Sequence, residues 1–134
     1  MDVLAHFRGA RNAVTIPRGA MIFAEGETGS TMFVLIQGRA DISVGGAVIE
    51  SAVPGALLGE MALVTSAPRS ATVTAATECK LVAVDAKQFD LLARESPEFA
   101  RHVMTVMAER LRRTNERLRE VLKEIGVRGG RRPR

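Results

Sequence analysis

Between Ala13 and Val53 the chain is cut by turn residues into short apolar runs, and this punctuation constrains the fold more than any other feature. Ala13 to Ile16 stops at Pro17-Arg18-Gly19, Met21 to Phe23 at Glu25-Gly26-Glu27-Thr28-Gly29, and Thr31 to Ile36 at Gln37-Gly38. Ala40 to Val44 and Ala47 to Val53 follow, divided by Gly45-Gly46 and closed by Pro54-Gly55. Runs this short, at roughly ten-residue spacing, predict an antiparallel sandwich or barrel. Gly45-Gly46 is a two-residue hairpin signal, because glycine supplies the positive φ that primed turns require. Ala71 to Ala75 and Lys80 to Val84 supply the last two strands.

Helical signals flank this region. Residues 2–9 place Val3, Leu4 and Phe7 on one face and end at Gly9. Asp85-Ala86-Lys87-Gln88 has the form of a capping box, opening a helix to about Arg94 or Glu95. Ser96-Pro97-Glu98 then starts another, with Ser96 as N-cap and Pro97 at the first helical position. Nothing breaks it before Gly126. Met104, Met107, Leu111, Thr114, Leu118, Val121 and Ile125 follow the three-four spacing of heptad a and d positions. We expect residues 98–108 to pack on the chain's own barrel and residues 111–125 to pair with a second copy.

A chain of 134 residues suits one compact domain. We place it at 1–126, with the barrel at about 12–85, the C-terminal helices at about 86–126 and a disordered basic tail at 127–134. Five Phe with no Trp or Tyr leave the core to aliphatic residues and argue against a stacking platform for single-stranded nucleic acid. The single cysteine, Cys79, excludes an internal disulfide framework and points to a reducing cytoplasm. No apolar run approaches a membrane span, and Met1 before a plausible first helix reads as a natural start. From Arg101 onward eleven Lys and Arg stand against four Glu, a balance of +7 that leaves −3 of the net +4 for the first 100 residues.

The segment Gly59-Glu60-Met61-Ala62-Leu63, followed by Pro68-Arg69-Ser70-Ala71-Thr72-Val73, sets one carboxylate and one guanidinium in small, apolar surroundings. Charges there are costly to bury without a partner. A ligand with hydroxyls and an anionic group would satisfy both, since Arg presents a planar fork to phosphate and a carboxylate accepts from sugar hydroxyls. Gly59 lets a ligand approach the main chain, and Glu60 to Val64 can form one helical turn whose amides favour an anion. The bland alternative is a Glu60–Arg69 ion pair that serves only structure.

The string GEMALVTSAPRSATV resembles the phosphate-binding cassette of the cyclic-nucleotide-binding domain family, shared by catabolite-activator-type regulators, cyclic-nucleotide-dependent kinases and cyclic-nucleotide-gated channels. The order of strands, Gly26, Gly38 and Gly55, and the terminal helices extend the resemblance over about residues 2–125. It implies a mainly β jelly roll with flanking helices. Glu60 would accept from the ribose 2′-hydroxyl and Arg69 would pair with the equatorial phosphate oxygen. Gly59 and Ser70 would add backbone or hydroxyl contacts, and Met61 and Ala71 complete the cassette. Thr114-Asn115 falls where the catabolite activator type has a Thr-Ser pair contacting adenine, the first residue in its own subunit and the second across the dimer. Asn115 departs from that Ser, and such a polar pair also serves to fix the register of a seam. Ser70 directly after the Arg serves guanine in some members, yet bacterial cyclic-AMP binders carry Ser there too. With Thr114, the implied ligand is cAMP, with cGMP as the alternative.

With the resemblance, the leading reading is a stand-alone sensor module that binds cAMP and answers by moving its C-terminal helix toward an unknown downstream protein; the heptad seam points to a homodimer through that helix, and neither a cofactor nor a metal is expected. Regulators of this type continue into a winged helix-turn-helix, whereas this sequence stops at Arg134, so sequence-specific DNA binding by this chain is not expected. Two other readings stand beside this one: a ligand-independent dimerisation or docking module, and the regulatory domain of a larger transcription regulator, kinase or channel. Catalysis is not expected, since His6 and His102 lie far apart and no nucleophile triad is recognisable.

Overall fold

The computed structural model describes residues 2–126. The basic tail predicted at 127–134 lies outside them. A short helix, α1 (Val3–Phe7), precedes eight strands: β1 (Ala13–Ile16), β2 (Met21–Phe23), β3 (Thr31–Gln37), β4 (Ala40–Val44), β5 (Ala47–Ala52), β6 (Leu57–Leu58), β7 (Thr72–Ala75) and β8 (Cys79–Asp85). Helix α2 (Glu60–Thr65) interrupts the series between β6 and β7, and α3 (Ala86–Glu95) and α4 (Pro97–Glu124) close the chain.

The strands form two four-stranded sheets, in the orders β1-β8-β3-β6 and β2-β7-β4-β5, with every pairing antiparallel. This is the mainly β fold with flanking helices that the turn spacing predicts. Gly45 and Gly46 both take positive φ, 57° and 84°, and join β4 to β5 with Val44 opposite Ala47.

Each sheet face is dictated by strand alternation. Phe23, Leu35, Ile42, Leu58, Val73, Cys79 and Leu81 fill the space between the sheets. The opposite face of the first sheet offers Met32, Val34, Leu57, Val82 and Val84 to Val3 and Phe7 of α1 and to Phe99 and Val103 of α4. Strand β8 is therefore apolar on both faces, which is why Lys80-Leu81-Val82-Ala83-Val84 alternates imperfectly. Cys79 is a core residue, and burial pushes its thiol pKa up.

The helix starts follow the sequence signals. Asp85 Oδ1 accepts from Gln88 N at 2.8 Å while Gln88 Oε1 accepts from Asp85 N at 3.0 Å, completing the capping box. Ser96 Oγ accepts from Phe99 N at 3.2 Å. The N-cap of α1, Asp2, accepts from Ala5 N at 3.1 Å.

Two expectations need correction. Leu57–Leu58 form a strand that the turn spacing does not predict, pairing with β3 as Val34↔Leu57 and Phe33↔Leu58. Two residues are too few to display a period. Met104 was placed against the barrel but is exposed, because the inward face of α4 runs through Phe99, Val103, Val106 and Met107. At about 100° per residue, Met104 falls beside that stripe.

Candidate functional site

The site is built where β6 gives way to α2. Gly59 caps α2 with φ 79° and ψ 19°, a left-handed conformation that glycine adopts without penalty. A Cβ here would strike Arg69 Nη1 and lie 3.2 Å from the Phe23 ring. Glycine therefore serves both the turn and the approach of a guanidinium. The next residue, Glu60, is 1% exposed although it is a carboxylate at the first position of a helix.

Arg69 reaches the same place from the segment before β7. Its backbone is clamped by the β2–β3 turn: Gly26 N donates to Arg69 O and Arg69 N donates to Glu27 O, each at 2.8 Å. Its guanidinium carbon lies 4.2 Å from the centroid of Phe23, a cation–π contact, and Nη1 donates to Gly59 O at 3.4 Å. Burial pulls the Arg69 pKa down and nearby Glu27 partly opposes this. Arg69 belongs to none of the ion pairs among the described residues.

Glu60 and Arg69 are thus not each other's partner, and the purely structural ion pair weighed in the sequence is not formed. Glu60 is instead bound by Arg110 of α4, whose Nη1 donates to Glu60 Oε1 while Nη2 donates to the Leu57 carbonyl. Glu60 Oε2 is buried without a hydrogen-bond partner, as is Arg110 Nε.

A cavity of about 620 Å³ gathers these groups. Phe23, Ile42, Val44, Ile49, Leu58 and Val73 give it an apolar wall, and Arg110, Arg113 and Thr114 bring α4 across it. Seven of the eight residues singled out in the sequence line it: Gly59, Glu60, Met61, Arg69, Ser70, Ala71 and Thr114. Ser70 Oγ sits 3.7 Å from Met61 Sδ, so the two flanks of the cassette touch. Asn115 is exposed and not on the wall.

The sequence reading missed Arg110 and Gly29. Arg110 continues the inward stripe of Phe99, Val103, Val106 and Met107, so extrapolating that stripe by one turn would have found it. Gly29 lies against Arg69: a Cβ there would fall 2.5 Å from Nη2 and 2.6 Å from Nε. Its sequence signal was only that of a turn glycine.

The largely apolar cavity of this antiparallel β-roll thus brings together a buried carboxylate with one unbonded oxygen and a guanidinium that makes no ion pair among the described residues. Comparison with known proteins gives the family. Residues 13–96 match the family model described as the cyclic nucleotide-binding domain, and the chain belongs to that family. Over 95 residues it is 40% identical to a cyclic nucleotide-gated potassium channel of Rhizobium etli, a match taking in 71% of this chain and 26% of the channel. It is 30% identical over 114 residues to the CRP-like cAMP-activated global transcriptional regulator of Mycobacterium tuberculosis, covering 81% of this chain and 51% of the regulator. Among solved structures, the catabolite activator protein of Thermus thermophilus superimposes with a TM-score of 0.73 at 27% identity, over 81% of this chain and 54% of that one. The chain thus spans at most about half of these relatives. No helix among the described residues is long and apolar enough to cross a membrane.

Proposed function

We propose that the cavity binds a 3′,5′-cyclic nucleotide, cAMP in preference to cGMP, and that binding is read out through α4. The observation that carries this reading is the pair of unmet demands in one cavity: among the described residues Glu60 Oε2 is buried and unbonded, and Arg69 is desolvated and in no ion pair. A ribose 2′-hydroxyl donates to the first. The cyclic phosphate accepts from the second in a charge-assisted hydrogen bond. Gly59, Met61, Ser70 and Ala71 line the path between them, and the base extends over the apolar wall toward Thr114. The hydroxyl of Thr114 suits the exocyclic amino group of adenine, and the name of the mycobacterial relative states activation by cAMP. Asn115 would act only toward a second copy.

Because α4 contributes both Arg110 and Thr114, ligand contacts favour one placement of this helix over others, which is the differential affinity a population shift requires. Whatever follows α4 in a longer protein, or binds to it, would receive the signal; catalysis by this module forms no part of the reading, nor does a metal or cofactor.

Titration calorimetry with cAMP and cGMP tests the proposal. Saturable binding of cAMP is expected, with weaker binding of cGMP. Arg69→Lys keeps the charge but loses the planar fork, and should weaken cAMP by about tenfold to a hundredfold, or roughly 1.4–2.8 kcal/mol. No binding of either nucleotide by a folded sample would refute the reading, and equal affinity would remove the preference.

A further inference from the structure

Beyond Met107, apolar packing no longer holds α4 to the body. Residues 111–120 are all exposed, yet the helix still runs along the cavity wall. Among the described residues, its ionic attachment there falls on two carboxylates, Glu60 at the start of α2 and Glu50 in β5. Strand β5 is the edge of the second sheet, and nothing in the nucleotide chemistry above uses Glu50.

The Glu50 carboxylate engages α4 with both oxygens. Oε1 accepts from Arg113 Nη2 at 2.9 Å, and Oε2 lies 3.8 Å from Arg110 Nε. Positions 110 and 113 are three residues apart, so both side chains leave the helix on the same face. Arg110 also reaches the Leu57 carbonyl of the first sheet, and this one side chain therefore joins α4 to both sheets. The Glu50 side chain is 27% exposed and that of Arg110 23%, which shields their contact from salt more than the outer one, where Arg113 is 53% exposed.

We propose that Glu50 is a positioning residue: from β5 it fixes Arg110 and Arg113, holds α4 across the cavity, and so sets how long a bound nucleotide stays. This rests on the cyclic-nucleotide reading for its kinetic consequence, but the positioning itself is independent of any ligand. Glu60 has a role toward the ligand as well as toward Arg110. Glu50 is the attachment that persists whether or not the ribose engages Glu60.

Two measurements on the full chain separate these points. In the nucleotide-free protein, Glu50→Gln should speed amide hydrogen exchange of residues 108–118 by about fivefold, the factor corresponding to the upper range of a partly exposed ion pair, while β3 and β8 stay unchanged. Unchanged exchange at low salt overturns the proposal. In stopped-flow displacement of a fluorescent cAMP analogue, Glu50→Gln should raise the dissociation rate by about fivefold at low salt, Arg113→Gln, which leaves the Arg110 contact, should raise it by a smaller factor, and both effects should shrink at high salt. The double variant should be no faster than Glu50→Gln alone, since that change already removes the charge that Arg113 meets. Multiplying effects, or a rate equal to that of the parent chain, would show that Glu50 does not act through α4. A parent chain that binds no analogue defeats the nucleotide reading alone, because the exchange experiment still decides the positioning. Should Glu50→Gln fail to fold, Arg113→Gln removes the Arg113 half of the attachment from the exposed side and should speed exchange of the same residues by a smaller factor, and unchanged exchange in it overturns the proposal.

Discussion

At the scale of single residues, the cavity is organised around one guanidinium that three neighbours confine. Phe23 supplies a face for Arg69, and Gly59 and Gly29 leave the space that its nitrogens occupy. Real Cβ atoms do not approach other heavy atoms as closely as one on Gly29 would approach Arg69, so Gly29→Ala forces the guanidinium to shift. The fork then misses the position at which Gly59 and Phe23 hold it. We predict that Gly29→Ala lowers cAMP affinity by about tenfold in calorimetry, or roughly 1.4 kcal/mol, with little change in the unfolding midpoint. Affinity equal to that of the parent chain would show that Arg69 can tilt without cost. The chemical identities of Glu60 and Arg69 were legible in the sequence, because two charges in a small, apolar segment demand explanation. Their partners were not. Glu60 takes Arg110 from fifty residues away, and the only mark on that arginine is its place one turn beyond an inward stripe whose rotation the sequence left open.

At the scale of elements, α4 carries two different faces along one helix. Its first half is an apolar anchor centred on Phe99, which is fully buried and meets Phe7 of α1 and Phe89 of α3 edge-on, with ring centroids 6.4 Å and 5.7 Å away. Truncating such a side chain costs its transfer free energy and leaves a cavity that the three helices cannot close. Phe99→Ala should cost about 3–5 kcal/mol of stability, read by urea denaturation. A loss below about 1 kcal/mol would mean that α1 and α3 collapse into the space. The second half is bound by charge rather than by burial. A division of the helix near residues 108–111 was expected from the sequence, but its rotation was misread at Met104, which is exposed. The three-four seam and the inward stripe share Met107, and periodicity alone does not say which of two overlapping stripes meets the barrel.

At the scale of the whole molecule, the apolar side chains of the outer helix are left uncovered. Leu111, Leu118, Val121 and Ile125 are between 50% and 67% exposed, together with Met104 at 63%. Scattered exposed leucines need no account, but a line of them at heptad spacing along a helix is a seam. We propose a second copy as its occupant, with each α4 lying along the other. Multi-angle light scattering should then give twice the chain mass, and Leu118→Asp should return the monomer without loss of helix. A parent chain that is monomeric at tens of micromolar, with and without cAMP, would reject the homodimer. The same variant separates two readings of function: a pure dimerisation module fails with Leu118→Asp and tolerates Arg69→Lys, whereas a nucleotide sensor is impaired by the arginine change even as a monomer.

The sequence by itself determined the strand punctuation, the Gly45-Gly46 hairpin, the caps at Asp85 and Ser96, and the setting of Gly59, Glu60 and Arg69 in a small, apolar segment. Each of these is a local matter of φ, hydrogen-bond capacity or spacing, and local physics is written in neighbouring residues. The tertiary structure decided what local rules leave open. It paired Leu57-Leu58 with β3, turned Met104 outward, brought Gly29 against Arg69, and chose Arg110 for Glu60 and Arg113 for Glu50. Those choices depend on where α4 comes to rest across the two sheets: Phe99 and Val103 seat its first half on the first sheet, and that seating brings Arg110 and Arg113 within reach of the carboxylates that hold the second half.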